Sequence, residues 1–73
     1  MYGVVLVPSI SQAIQGEKLL LRVGLSVKLI PTPRQLSSDC GVAIRFDWTQ
    51  REQVEEQLQR IGLADYRIAP LEA

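Results

Sequence analysis

Cys40 is the only cysteine in the chain, and the chain contains no histidine. One cysteine forms no internal disulfide, and a cysteine or histidine zinc cage cannot be assembled within one chain. Nucleophilic triads and dyads that use histidine as base are excluded as well. What is left is a lone thiol, whose reactivity depends on exposure and ionisation. It lies in Pro31-Thr32-Pro33-Arg34-Gln35-Leu36-Ser37-Ser38-Asp39-Cys40-Gly41, between two short apolar runs that read as strands. A hairpin needs only about two to five residues at such a joint, and this one has more than it needs. Long ordered loops in compact domains are where function tends to sit. The loop is therefore the candidate site and the rest of the chain its scaffold.

Arg34 is the one cation near Cys40 in sequence. It can lower the thiol pKa or hold a leaving anion, and it can equally pair with Asp39 or a backbone carbonyl. Ser37 and Ser38 suit a turn or a hydrogen bond to a thiolate. Gly41 lets a partner's backbone approach closely, and Pro31 and Pro33 stiffen the loop. The neighbouring Asp39 opposes ionisation. The alternative for Cys40 is a small buried residue at the start of a strand, because free cysteine is among the most buried types.

The elements that must position this loop follow from periodicity. Tyr2-Gly3-Val4-Val5-Leu6-Val7 is an apolar run of strand length, suited to a central strand covered on one face and partly on the other. Pro8-Ser9 ends it, and Ser9 with Gln12 fits a capping box for a helix from Ile10 to Val23. Ile10, Ala13, Ile14, Leu20 and Leu21 are its apolar set, and Gly24 suits the left-handed C′ position. Ser26–Ile30 is a second strand, closed by Pro31. After the loop, Val42, Ile44 and Phe46 alternate with polar or small residues, as in a third strand. Asp47 or Thr49 opens a second helix, with Thr49 and Glu52 as a capping box, Val54, Leu58 and Ile61 as buried stripe and Gly62 as stop. Asp65–Ala69 is a last strand, ended by Pro70.

Leu20-x-Arg22-Val23-Gly24-Leu25 is echoed by Leu58-x-Arg60-Ile61-Gly62-Leu63. The chain therefore reads as one domain, 1–73, of two strand–helix–strand halves (2–30 and 42–69) joined by the cysteine loop, 31–41. Two such halves in one sheet give an α+β, ferredoxin-like βαββαβ two-layer sandwich, a four-stranded, antiparallel-dominated sheet with both helices on one face. In that arrangement we expect both helices to finish at the loop end of the sheet, turning their negative ends toward the thiol.

Eight basic and eight acidic residues cancel. The basic excess of a nucleic-acid binder is absent, so no nucleic-acid partner is expected. No apolar run approaches the ~18–20 residues of a membrane span, and Met1-Tyr2 leads straight into a strand-like run with no signal-peptide character. A cytoplasmic setting without a membrane partner, cofactor or metal is the expectation. A chain this short buries only about 60% of its extended surface, which makes a homodimer plausible.

Three pieces of the chain together resemble a small prokaryotic family of selenium/sulfur (Se/S) carrier-like proteins. The first is the early strand ending in serine, then Ala13 and Glu17-Lys18-x-Leu20. The second is Gly24 followed by Val27-x-Leu29-Ile30-Pro31-x-Pro33-Arg34. The third, and with Pro33-Arg34 the most specific, is Ser37-Ser38-x-Cys40-Gly41 leading into a strand. The resemblance covers roughly the first two-thirds of the chain, while the second helix and last strand match in pattern. One departure is Val7, where the family often has an aromatic. The resemblance implies that Cys40 accepts sulfur or selenium as a persulfide or perselenide and passes it to another protein. It also implies a cysteine desulfurase or a small sulfurtransferase-like protein as donor or acceptor, and a carrier or sulfurtransferase accessory more than a stand-alone enzyme. Arg34, Ser37, Ser38 and Gly41 would then shape the site.

Other residues admit two readings each. Glu17, within the apolar helix face, is a snorkelling edge residue or a partner for Arg34. Trp48 is a core or staple residue, or an interface anchor. With Val27, Leu29, Val42, Ile44, Phe46, Tyr66 and Ile68 toward the helices, Lys28, Arg45 and Arg67 would share the open sheet face with Val5, Val7, Ile30 and Ala43. That face would carry no aromatic for base stacking. The competing function is a non-catalytic interaction or dimerisation module that uses the open sheet face or an edge strand, with Cys40 structural. A metabolite-sensing domain fits less well, because Gly16 lies inside the first helix instead of at its start.

Overall fold

The apolar run at the start of the chain forms the central strand that its pattern predicts. In the computed structural model, which describes residues 1–36, 41–63 and 65–71, β1 (Tyr2–Leu6) lies between β3 (Val42–Asp47) and β4 (Arg67–Leu71). The strand β2 (Val27–Pro31) flanks β3, giving the order β2-β3-β1-β4 with every pair antiparallel. Helix α1 (Ile10–Arg22) connects β1 to β2, and α2 (Arg51–Arg60) connects β3 to β4. The fold is α+β and ferredoxin-like.

The main core forms where the helices meet the sheet. Val5, Val7, Ile44 and Phe46 face Ala13 and Leu20 of α1 and Val54 and Leu58 of α2, all buried. Burying each of the larger of these side chains contributes about 1.5–3 kcal/mol. Val5 and Val7 therefore point toward the helices, and Val4 and Leu6 take the open face instead. A continuous apolar run fits either phase, so its alternation is not readable from residue type. Gly16 is buried on α1, where a Cβ would lie 2.9 Å from the flexible end of Ile44, Cδ1. The buried stripe of α1 is thus Ala13, Gly16 and Leu20, whereas Ile10, Ile14 and Leu21 are exposed. In α2, Val54 and Leu58 are buried and Ile61 is partly exposed.

The repeated Leu-x-Arg-x-Gly-Leu segments build the same helix stop twice. The Leu25 amide donates to the Leu20 carbonyl and the Gly24 amide to Leu21; Leu63 donates to Leu58 and Gly62 to Gln59. Both are Schellman motifs, and Gly24 and Gly62 take the positive φ that they require (90° and 72°). Ser9 caps α1, its Oγ accepting from the Gln12 amide at 3.3 Å and donating to Gln12 Oε1. The expected Thr49–Glu52 box does not cap α2. Asp47 Oδ1 instead accepts from the Thr49 amide (3.0 Å) and Thr49 Oγ1 (2.8 Å), capping a 3-10 turn, Trp48–Gln50, that runs into the helix. These bonds favour the ionised carboxylate and hold the Asp47 pKa below its ordinary value.

Each edge of the sheet carries features that disfavour a further strand. Glu17 takes neither of its expected roles: its carboxylate reaches from α1 to accept the Leu29 amide of edge strand β2 at 3.0 Å. Pro70, expected to stop the last strand, sits inside β4 opposite Gly3. An edge position tolerates proline because no ladder donor is required there. Pro31 likewise closes β2 opposite Val42.

Candidate functional site

Residues 32–41 bridge β2 and β3 at one end of the sheet. The last ladder pair is Pro31 opposite Val42, and the Thr32 amide donates to the Gly41 carbonyl at 3.1 Å, which fixes the two stems of the loop. Its first limb folds into a 3-10 turn, Arg34–Leu36, closed by a hydrogen bond from the Leu36 amide to the Pro33 carbonyl (3.0 Å). The turn lays Leu36, with Ile30, Ala69 and Leu71, against the buried Val4, Leu6 and Ala43. The face opposite the helices thus carries a second small core, and the loop is anchored to it. The pattern did not place Leu36; its signal was being the one apolar side chain between Pro33 and Asp39.

Of the candidate residues, Arg34 is exposed on this turn and Gly41 is exposed at the start of β3. Among the described residues, nothing lies within 4 Å of where a Cβ on Gly41 would sit, so no neighbour there demands glycine. Cys40, Ser37, Ser38 and Asp39 lie outside the described residues, as do the thiol's exposure and any Arg34–Asp39 pair. A cleft of about 330 Å³ opens beside the turn, between Gln35 and Leu36 on one side and Leu6, Arg67, Ile68 and Ala69 on the other.

The field at this end of the sheet differs from expectation. β1 ends here and α1 starts here, with its Ser9 cap, while α2 runs toward this end and stops at Gly62. A helix that returns antiparallel to the strand before it must start where that strand stops. One positive and one negative helix end therefore meet the loop region, so the expected pair of negative ends is absent.

The open face carries Lys28 and Arg45 directly opposite each other, and Arg67 opposite Leu6. It does have an aromatic: Tyr2, at the far end from the loop, lies under the Arg45 guanidinium at 4.4 Å. Trp48 packs on the helix side against the main core, stacked on Phe46 at 6.0 Å. Among the described residues, no helix is long and apolar enough to cross a membrane.

The model of the family described as "Putative Se/S carrier protein-like" matches residues 2–70. The chain belongs to the Se/S carrier-like family. The match extends through α2 and β4, beyond the two-thirds of the chain that carries the motif resemblance, and takes in the whole loop. No curated protein and no solved structure matches the chain.

Proposed function

We propose that this member of the Se/S carrier-like family holds sulfur or selenium on Cys40 and hands it to a partner protein. The observation that carries the reading is the family match across the whole domain, in a chain whose only thiol lies in the loop between β2 and β3. The loop supports it further. Its stems are tied by the Thr32–Gly41 hydrogen bond and its first limb is anchored through Leu36. A rigidly based loop presents a reactive group at lower entropic cost than a free one.

The step is a sulfane transfer without net oxidation. The Cys40 thiolate attacks the outer sulfur of a donor persulfide. A new S–S bond forms on Cys40, the donor's S–S bond breaks, and the donor thiolate leaves with the electron pair. Delivery repeats the exchange with the acceptor as nucleophile. Arg34 is the cation available to favour thiolate or leaving group, and Ser37, Ser38 and Gly41 shape the approach. The donor or acceptor is a cysteine desulfurase or a small sulfurtransferase-like protein, in a reducing compartment such as the cytoplasm.

The test is the intact-protein mass after incubation with a cysteine desulfurase and cysteine, or with polysulfide, for wild type and Cys40→Ser. A DTT-reversible gain of one sulfur mass, missing from the variant, supports the carrier. No adduct, together with a native-state thiol that resists alkylation, refutes it. The interaction-module reading would then lead, through the open face more than an edge, because Glu17, Pro31 and Pro70 each remove one edge donor.

A further inference from the structure

We infer that the cleft at the end of the open face remote from the cysteine loop binds a small organic phosphomonoester, its phosphate held between Lys28 and Arg45. The inference is independent of Cys40. Lys28 and Arg45 stand directly opposite each other in the β2–β3 ladder. Like charges placed so are destabilising on a sheet face, and neither forms an ion pair among the described residues. An anion between them converts that repulsion into binding.

Arg45 is held ready for such a ligand. Its guanidinium lies over the Tyr2 ring at 4.4 Å, a cation–π contact that holds the charge at this end of the face without neutralising it. The site is concave as well as charged. Tyr2, Lys28 and Arg45 line a shallow cleft of about 510 Å³ that reaches round the strand ends to Leu21, Leu25 and Val27, of which Leu25 and Val27 belong to the helix-side core. Asp47 also lines it, an anion that works against the ligand from the rim, with its Oδ1 accepting from two donors on Thr49.

Charge and shape select the ligand class. Two cations side by side match a dianion; a phosphomonoester carries about −1.5 to −2 at neutral pH, whereas a carboxylate would neutralise only one of them. The apolar wall of Leu21, Leu25 and Val27 favours a phosphate attached to an organic body over the free ion. The site is three residues along β2 from the Pro31–Val42 closure of the loop, about 10 Å at the rise of a strand.

The experiment is an amide NMR titration of the full chain with phenyl phosphate, inorganic phosphate and benzoate. We expect saturable shifts at Tyr2, Val27, Lys28 and Arg45, with phenyl phosphate bound about tenfold more tightly than either other probe. Lys28→Gln and Arg45→Gln should each weaken it about tenfold or more, the loss of one charge-assisted contact. Raising the salt concentration should weaken the wild-type complex too, which tests the site without any substitution. Shifts that do not saturate, that fall elsewhere, or that survive both substitutions and added salt overturn the inference. Equal affinity for phenyl phosphate and inorganic phosphate overturns the organic part of it. Cys40→Ser should bind as wild type does.

Discussion

The bond from the Leu29 amide to Glu17 is the sharpest test of how this domain is held together. Glu17→Ala removes the acceptor and leaves an edge-strand donor facing a helix. A hydrogen bond to a charged acceptor is worth about 1.5–3 kcal/mol when well shielded. Here both residues are only half-buried, so water recovers part of it, and alanine adds a few tenths through helix propensity. The expected loss is about 1 kcal/mol. In a domain of this size that lowers Tm by about 4–8 °C, and with a urea m-value near ~1 kcal/mol/M it lowers the midpoint by about 1 M. Glu17→Gln keeps an uncharged acceptor and should fall roughly midway. Urea unfolding gives the midpoint, and amide exchange resolved by residue gives the mechanism: Leu29 should lose protection more than its neighbours in β2. An unchanged midpoint together with unchanged exchange at Leu29 would show that the bond contributes nothing.

Three further outcomes follow from other contacts. Leu36→Ala should cost about 1–2 kcal/mol, because a half-buried leucine leaves the open-face cluster; it should also speed alkylation of Cys40, and an unchanged rate would separate the anchor from the thiol. In Gly3→Ala the new Cβ would lie 2.5 Å from Trp48 Cε3 and 2.7 Å from Phe46 Cζ, so a loss of about 1–3 kcal/mol in thermal unfolding is expected. The lowered Asp47 pKa predicts stability that is fully present above the ordinary carboxylate value of 3.8 and is lost as pH falls through the lowered folded value. Thr49→Ala, which removes one of the two donors, should shallow that acid limb in thermal melts recorded from about pH 5 downward.

The parts of this fold that were legible in the sequence are those set by local chemistry. Ser9, Gly24 and Gly62 mark helix ends because caps and left-handed stops need those residue types wherever they occur. Alternation in Val42–Phe46 gave the correct inward set. The phase of β1 was not legible, because Val4, Val5, Leu6 and Val7 are all apolar and both faces of the strand are covered. Ile10, Ile14 and Leu21 fit a helical stripe as well, and the side of α1 that meets the sheet is the one carrying Ala13, Gly16 and Leu20. The roles of Glu17 and Leu36 were hidden for another reason: each depends on a partner distant in sequence, Leu29 in one case and the Val4–Leu6–Ala43 cluster in the other. At the candidate site, the sequence marked the loop and its single thiol, while the anchoring of the loop over the sheet required the fold.

Trp48 is the chain's only tryptophan. It follows directly on the end of β3 remote from the cysteine loop, stacked at 19° to Phe46 with the Arg51 guanidinium 5.2 Å from its ring. The molecule therefore carries its own optical probe, placed away from the loop. Indole emission will follow disruption of the sheet and helices, while chemistry on a loop thiol leaves it nearly silent. Loading and unfolding can then be recorded in one cuvette, by absorbance and by fluorescence, without attaching a label to the thiol under study.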